Sequence, residues 1–159
     1  MEVFDIKTEI TVLQYTELDA KRKKLIEKAK EACADSYSPY SDFSVGAALE
    51  LENGLFFKAN NQENAAYPSG MCAERSLLYY VKANHAREPV KRIAIAAKSN
   101  GKFTKLPISP CGACRQVILE TANRQKQPIE LLLAGAERIY VIKDAKTLLP
   151  LQFGAEYLR

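Results

Sequence analysis

Three cysteines and one glutamate stand at spacings that suit metal chemistry. Cys111 and Cys114 are three residues apart, so on a helix their sulfurs lie about one turn from each other and can bind the same ion. Cys72 can supply a third sulfur from another segment. Three sulfurs and an open fourth position describe a catalytic zinc site better than a structural one, in which protein ligands fill all four positions. The spacing therefore predicts Cys72, Cys111 and Cys114 as ligands of Zn²⁺.

Glu74 is the predicted catalytic residue. It follows Cys72 by two residues, so on a helix the two side chains point about 200 degrees apart and Glu74 is not expected to be a ligand. A carboxylate placed there can instead take a proton from an attacking water and carry it to a substrate nitrogen and then to a leaving amine. Arg75 and Arg115 are predicted to offset the charge of three thiolates by hydrogen bonds to sulfur.

Two other interpretations of these residues stay open at this point. Cys111-Gly112-Ala113-Cys114 also resembles the redox dithiol of thioredoxin-like proteins, which have no need of Cys72 or Glu74. The three cysteines and the only histidine, His85, could instead form a structural zinc site. Neither alternative uses the Cys-x-Glu spacing. The fourth cysteine, Cys33, falls on the apolar face of a predicted helix and is expected to be a buried hydrophobic residue.

The first half of the chain alternates between strand and helix patterns. Apolar residues at alternate positions predict a leading strand over residues 4–12. Thr16 and Asp19 resemble a capping box, so a helix is predicted from there to about residue 34. Residues 45–51 alternate up to Asn53-Gly54, a dipeptide that favours a type I′ turn, and residues 55–59 form the return strand.

The second half places the chemical residues at helix starts. Helical periods begin near residues 72 and 112, and strands are predicted over residues 90–97, 129–134 and 138–143. The positive end of a helix lowers the pKa of a nearby thiol, so all three cysteines lie where thiolates are favoured. The alternation of elements predicts an α/β fold, a single domain with a mixed β-sheet sandwiched by helices.

Composition limits the classes of partner and compartment. The chain has 159 residues, the length of one domain, and a formal net charge of +4 with basic and acidic residues interleaved, so no nucleic-acid partner is expected. No apolar stretch approaches the length of a membrane span, and no membrane partner is expected. The first five residues are acidic where a signal peptide would be basic, and cysteines used as ligands fit a reducing compartment. A cytoplasmic location is expected.

The two cysteine motifs also carry a family resemblance. Cys72-Ala73-Glu74-Arg75 and the segment 110–116, Pro-Cys-Gly-Ala-Cys-Arg-Gln, resemble the small, homotetrameric, zinc-dependent cytidine deaminases. The likeness runs from about Thr16 to Gly154 and includes residues 38–49 and 61–67. It implies a cytidine-deaminase-like fold over residues 16–159, preceded by an N-terminal extension at residues 1–15 that is predicted to be a strand.

The resemblance also assigns substrate-binding residues. It implies that Asn61 and Glu63 bind a ribose hydroxyl, that Phe43 packs on the pyrimidine, that Phe153 reaches the site of a neighbouring subunit, and that Tyr67 lies at a subunit boundary. The implied reaction is hydrolytic deamination of free cytidine and deoxycytidine to uridine and deoxyuridine with release of ammonia, as in pyrimidine salvage, by a homotetramer with sites near its interfaces. A non-catalytic protein with structural zinc, or a deaminase of another small amine such as a nucleoside antibiotic, stays open.

Overall fold

A computed structural model of the chain describes residues 1–158, and the predicted catalytic domain, residues 16–159, therefore ends one residue outside the described part. The described residues form a seven-stranded sheet with helices on both faces. The mixed sheet between helices confirms the predicted α/β fold, and the short strand at Lys102–Phe103 was not predicted. The helices are α1 (Ala20–Ala32), α2 (Ala73–Asn84) and α3 (Gly112–Gln125). The strands are β1 (Thr11–Leu13), β2 (Phe43–Leu51), β3 (Phe56–Asn60), β4 (Val90–Ser99), β5 (Lys102–Phe103), β6 (Glu130–Ala134) and β7 (Ile139–Ile142).

The sheet is mixed, and its order is β1-β7-β6-β4-β2-β3, with the short β5 paired to β4. Only β4 and β6 pair in parallel, and the other pairs are antiparallel. Since β2 is antiparallel to both β3 and β4, β3 and β4 run in the same direction. The chain leaves β3 to form α2, and after β4 and the short antiparallel β5 a loop over residues 104–111 leads to α3. The sulfurs of Cys72 and Cys111, at the starts of the two helices, are 3.8 Å apart, so both helices begin at the same edge of the sheet.

The side chains of the strands alternate between two apolar cores. Leu25, Ile26 and Ala29 of α1 pack on one face of the sheet, where small residues such as Ala94 and Ala96 let the helix approach closely. The faces of α2 and α3 that carry Leu77, Leu78, Val81, Ile118 and Ala122 pack on the other face, against Leu49, Ile93, Ile95, Leu131 and Leu133. Cys33 is buried in the α1 core, as predicted, with 3% of its surface exposed.

The N-terminal strand is shorter than the alternation over residues 4–12 predicts. Only Thr11–Leu13 pair with the sheet, with Thr11 opposite Val141 and Leu13 opposite Ile139. The partner strand is short: β7 ends at Ile142, one residue beyond the partner of Thr11, so the ladder has no partner for residues 4–9. Residues 1–10 form no helix or strand, and the Thr8 hydroxyl donates to the Thr147 carbonyl at 2.6 Å.

The first helix and the first hairpin also differ locally from the prediction. Asp19, not Thr16, caps α1, because its carboxylate accepts from the Arg22 N–H at 2.9 Å. Among the described residues with positive φ, the hairpin contributes Gly54 at +84° but not Asn53, so the turn is not type I′. The Gly54 N–H donates to the Leu51 carbonyl, and the Leu51 N–H donates to the Leu55 carbonyl. Residues 52–54 therefore form a three-residue hairpin loop with glycine in the left-handed position.

Gly46 of β2 sets the distance between the sheet and α1, and its replacement tests that packing. A Cβ there would lie 2.0 Å from the Ala29 carbonyl oxygen and 2.8 Å from the Cys33 nitrogen, both of them backbone atoms. We expect Gly46→Ala to lower the free energy of unfolding by about 3 kcal/mol, measured by urea denaturation with a chelator present. Gly112→Ala is the control, because a Cβ there meets nothing within 4 Å, and it should change the free energy of unfolding by less than about 0.5 kcal/mol. Equal stability of Gly46→Ala and the unsubstituted chain would contradict the close approach.

Candidate active site

The three predicted ligand sulfurs meet where α2 and α3 begin. Cys72 is the N-cap of α2 and Cys111 is the N-cap of α3, and Cys114 lies in the first turn of α3. The Cys72 and Cys111 sulfurs are 3.8 Å apart, those of Cys111 and Cys114 are 3.5 Å apart, and all three lie within 4.8 Å of one another. Tetrahedral zinc with bonds of about 2.3 Å to sulfur separates its ligand sulfurs by about 3.8 Å. The donor set and its spacing fit a zinc ion.

The only histidine does not join this cluster. His85 is the C-cap of α2, at the opposite end of the helix from Cys72, and its ring packs on Phe57 with a centroid distance of 4.8 Å. Twelve helical residues separate the two caps by about 18 Å. Within residues 1–158, the metal-binding cluster consists of the three cysteines. Among the described residues, the arrangement thus offers three sulfur donors to an ion, the number of protein ligands that is usual in catalytic zinc sites.

The two arginines predicted to contact sulfur behave differently. Arg75 donates to the Cys72 sulfur at 3.7 Å. A hydrogen bond from the Cys114 thiol, together with Arg75, lowers the pKa of Cys72 to about 5, so this sulfur is a thiolate at neutral pH. Arg115 does not contact sulfur, and that prediction is wrong. It donates to the carbonyls of Pro110 at 2.9 Å and Leu148 at 2.8 Å, because its side chain turns toward the C-terminal segment.

Glu74 lies in the first turn of α2 with only 4% of its surface exposed. Burial raises the pKa of its carboxyl group, and the negative charge on Cys72 adds to the effect. The carboxylate lines the same cavity as Cys72 and Cys111. A buried carboxyl group beside an open metal position can hold a proton that is in transit between water and a substrate.

The cavity is large enough for a nucleoside-sized molecule. Its volume is about 670 Å³, within the range of about 300–1,000 Å³ that is usual for small-molecule sites. One end is the cysteine cluster, and the walls come from three stretches of chain. The lining residues are Tyr40, Ser41, Phe43, Val45, Asn61, Gln62, Glu63, Asn64, Tyr67, Gly70, Met71, Cys72, Ala73, Glu74, Arg75, Ile108, Ser109 and Cys111. They include Phe43, Asn61, Glu63 and Tyr67, four of the five residues that the resemblance assigns to substrate.

The amide of Asn61 is tied to the start of β2. Its Oδ1 accepts from the Val45 N–H at 2.7 Å and from the Ser36 hydroxyl at 2.6 Å, and its Nδ2 donates to the Phe43 carbonyl at 2.9 Å. The backbone partners fix which end of the amide is oxygen. A side-chain amide has two N–H donors, so one of them is left for another molecule.

The carboxylate of Glu63 is held by the loop before β2. One oxygen accepts from the Tyr40 N–H at 2.9 Å and the Ser41 N–H at 3.4 Å, and the other accepts from the Ser41 hydroxyl at 2.5 Å. The hydrogen bond from Ser41 and that from Tyr40 lower the pKa of Glu63, so it is ionised at neutral pH and acts only as an acceptor.

Tyr67 and Phe153 are both largely exposed. Tyr67 lies at the cavity rim with 75% of its surface exposed, and its ring meets the edge of Tyr40 at a centroid distance of 5.9 Å. Phe153 is 57% exposed and stacks on Tyr157 at 5.7 Å. It does not line the cavity of its own chain. Its carbonyl accepts from Gln116 of α3 at 2.9 Å, which anchors the C-terminal segment to the helix that carries two cysteines.

Sequence reasoning missed the polar residues that support the cavity wall. Ser36 and Ser41 position Asn61 and Glu63, and Gln116 holds the Phe153 backbone. The dense serines of residues 36–44 were the available signal, but a hydroxyl in a loop shows no spacing that identifies its partner. Among residues 1–158, none of the helices combines the length and the apolar character that crossing a membrane requires.

Comparisons with known proteins agree with the geometry. The family model described as the cytidine and deoxycytidylate deaminase zinc-binding region matches residues 19–127. The chain is 44% identical over 101 residues to a cytidine deaminase of Sporosarcina psychrophila, covering 64% of this chain and 70% of that one. It is 35% identical over 130 residues to a cytidine deaminase of Mycobacterium tuberculosis, covering 82% and 87% of the two chains. The crystal structure of a cytidine deaminase from Burkholderia pseudomallei superposes with a TM-score of 0.69 at 40% identity, over 82% of this chain and 97% of that one.

Removing one sulfur should abolish stable metal binding. We expect about one zinc ion per unsubstituted chain and less than about 0.1 in Cys111→Ser after dialysis against a chelator, because a hydroxyl is a poor zinc ligand. Metal content is measured by inductively coupled plasma mass spectrometry. Cys33→Ala, which alters a cysteine outside the cluster, should keep its zinc. Full zinc in Cys111→Ser would contradict this ligand set.

Proposed function

Since this chain belongs to the family of zinc-binding cytidine and deoxycytidylate deaminases, we propose that it hydrolyses free cytidine and deoxycytidine to uridine and deoxyuridine with release of ammonia. The observation that carries the proposal is the meeting of three cysteine sulfurs and a buried carboxyl group at one end of a cavity of nucleoside size. We assign the metal to Cys72, Cys111 and Cys114 and the proton transfers to Glu74.

The metal and the carboxylate have separate tasks. Zinc, when bound, lowers the pKa of a water molecule to near neutrality and so makes it a nucleophile. Glu74 takes the proton from that water and delivers it to the ring nitrogen next to C4 of cytosine. The water oxygen forms a bond to C4, a second proton reaches the exocyclic amine through Glu74, and the C4–N bond breaks to release ammonia. One carboxylate thus acts first as base and then as acid.

The cavity walls support recognition of a sugar hydroxyl by Asn61 and Glu63. Asn61 has one N–H left after its contacts with β2, and the ionised Glu63 has acceptor capacity left after its three contacts. A hydroxyl can accept from the first and donate to the second. The 3′-hydroxyl is shared by ribose and deoxyribose, so contact there accounts for both substrates. We assign Phe43, which is half-buried in the cavity wall, to packing against the pyrimidine.

The charges in the cavity favour a nucleoside over a nucleotide or a polynucleotide. Glu63 would repel a phosphate near the sugar hydroxyl. Among the described residues that line the cavity, Arg75 is the only cation, and it is directed to the Cys72 sulfur. A phosphate would therefore meet an anion and find no free cation. The interleaved basic and acidic residues of the chain also favour a nucleoside over a polynucleotide.

We further propose a homotetramer in which each cavity lies near a subunit interface. Tyr67 is exposed at the rim, and Phe153 is exposed on a segment anchored to α3, so both are available to a second copy of the chain. In the assembly, Phe153 would reach the neighbouring cavity and Tyr67 would lie at the boundary. Analytical ultracentrifugation should give about four times the mass of the chain, and a fully active monomer would contradict the assembly.

The domain division and cellular setting follow from the same proposal. Residues 16–159 would form the catalytic domain, and residues 1–15 would be an extension that adds β1 to the sheet edge. A reducing cytoplasm keeps three thiols available for zinc, and free pyrimidine nucleosides are the substrates of salvage. Export of the mature protein from the cytoplasm would contradict this location.

The reaction and the role of Glu74 are tested together by ultraviolet assay of cytidine and deoxycytidine. The zinc-loaded enzyme should convert both, whereas Glu74→Gln should lose about 10²- to 10⁴-fold in kcat because an amide cannot shuttle the proton. Glu74→Gln should still bind zinc, since the carboxylate is not a ligand, and this is checked by metal analysis of the same sample. Full turnover by Glu74→Gln would exclude the assigned shuttle. No turnover by the zinc-loaded enzyme would instead favour another amine substrate, such as a nucleoside antibiotic, or a structural zinc site.

A further inference from the structure

The hydroxyl of Ser41 joins the wall that faces the sugar to the wall that faces the base. It donates to the Glu63 carboxylate at 2.5 Å and accepts from the Phe43 N–H at 3.1 Å. The other Glu63 oxygen accepts from two backbone groups, the Tyr40 N–H at 2.9 Å and the Ser41 N–H at 3.4 Å. A single side chain therefore contacts both residues assigned to opposite halves of the substrate.

These contacts determine how the carboxylate can turn. The two backbone donors bind one oxygen, and they leave the other oxygen without a backbone contact. The Ser41 hydroxyl holds this second oxygen and so fixes the plane of the carboxylate. An ionised carboxylate offers about four acceptor positions, and three are taken. The remaining position is the one available to a substrate hydroxyl.

We propose that Ser41 is a positioning residue for substrate recognition, which orients the Glu63 carboxylate so that its free acceptor position meets the sugar hydroxyl. The inference rests on the proposed function, in which Glu63 binds that hydroxyl. Ser41 acts through Glu63 and the Phe43 backbone, and no contact with the substrate is required of it. Without the serine hydroxyl the carboxylate is held at one oxygen only, so its other oxygen gains freedom that each substrate molecule must remove on binding.

The decisive measurement compares substrates with and without the 3′-hydroxyl. We expect Ser41→Ala to raise KM for deoxycytidine by about three- to tenfold, the range for one hydrogen bond, with kcat changed less than about twofold. For 2′,3′-dideoxycytidine, which lacks the hydroxyl, the same substitution should change KM by less than about twofold. Ser41→Thr is the matched control, because it keeps the hydroxyl, and it should restore most of the affinity for deoxycytidine.

Glu63→Ala separates this inference from the proposed function. It should raise KM for deoxycytidine, and the double variant Ser41→Ala/Glu63→Ala should show no further rise, because the two residues act as one unit. A raised KM in Glu63→Ala with an unchanged KM in Ser41→Ala would overturn the role of Ser41 alone. An unchanged KM in Glu63→Ala would overturn the sugar contact and with it the inference. Equal effects of Ser41→Ala on both nucleosides would show a general structural role and would also overturn it.

A measurement that needs no turnover tests the contact itself. The Ser41 hydroxyl is the largest cause of the lowered pKa of Glu63. Titration of the Glu63 side-chain carboxyl by carbon NMR should therefore give a higher pKa in Ser41→Ala than in the unsubstituted chain and in Ser41→Thr. The same pKa in all three proteins would overturn the proposed hydrogen bond.

Discussion

Three sulfurs from two segments can bind one ion only because α2 and α3 begin at the same edge of the sheet. β3 and β4 both pair antiparallel with β2 and so end at the same edge of the sheet, and the loop over residues 104–111 then leads from the short β5 to the start of α3 at that edge. Cys72 and Cys111 then become the N-caps of neighbouring helices. The sheet and the loop before α3 together determine where the three sulfurs meet, and the cavity and Glu74 lie around that point.

The same arrangement balances the charge of the site. With zinc bound, three thiolates and an ionised Glu74 would bring four negative charges to a partly buried place, against the two positive charges of the ion. Each helix N-terminus carries roughly half a positive charge, and both point at the cluster. Arg75 adds a full charge and a hydrogen bond to the Cys72 sulfur. These groups together would reduce the excess of negative charge around a zinc ion held by the three cysteines, where such an ion would lower the pKa of a bound water molecule.

The elements and site residues that could be predicted are those marked in the sequence by a hydrophobic period or by a fixed spacing between residues. The helices and the central strands were predicted in this way, as was the set of three cysteines whose sulfurs lie within 4.8 Å of one another close to the buried Glu74. The N-terminal strand was predicted too long because alternation says nothing about the length of β7 as a partner. Arg115 was assigned to sulfur from its position beside Cys114, whereas its long side chain reaches the carbonyl of Leu148. Contacts of this kind join residues far apart in the chain, and no local pattern specifies them.

The loops around the cavity show why structural and binding effects must be separated at this site. Most hydrogen bonds of the Asn61 amide are made to the start of β2. Most hydrogen bonds of the Glu63 carboxylate are made to the loop at Tyr40 and Ser41. Each side chain keeps one free position, and these two positions form the proposed contact with the sugar. Since the same groups hold the wall and would also bind the proposed substrate, truncating either one is expected to disturb both the wall and the binding. The Ser41 hydroxyl lies outside the proposed contact with the sugar. Its removal therefore tests the orientation of the Glu63 carboxylate separately from substrate binding, which removal of Glu63 itself cannot do.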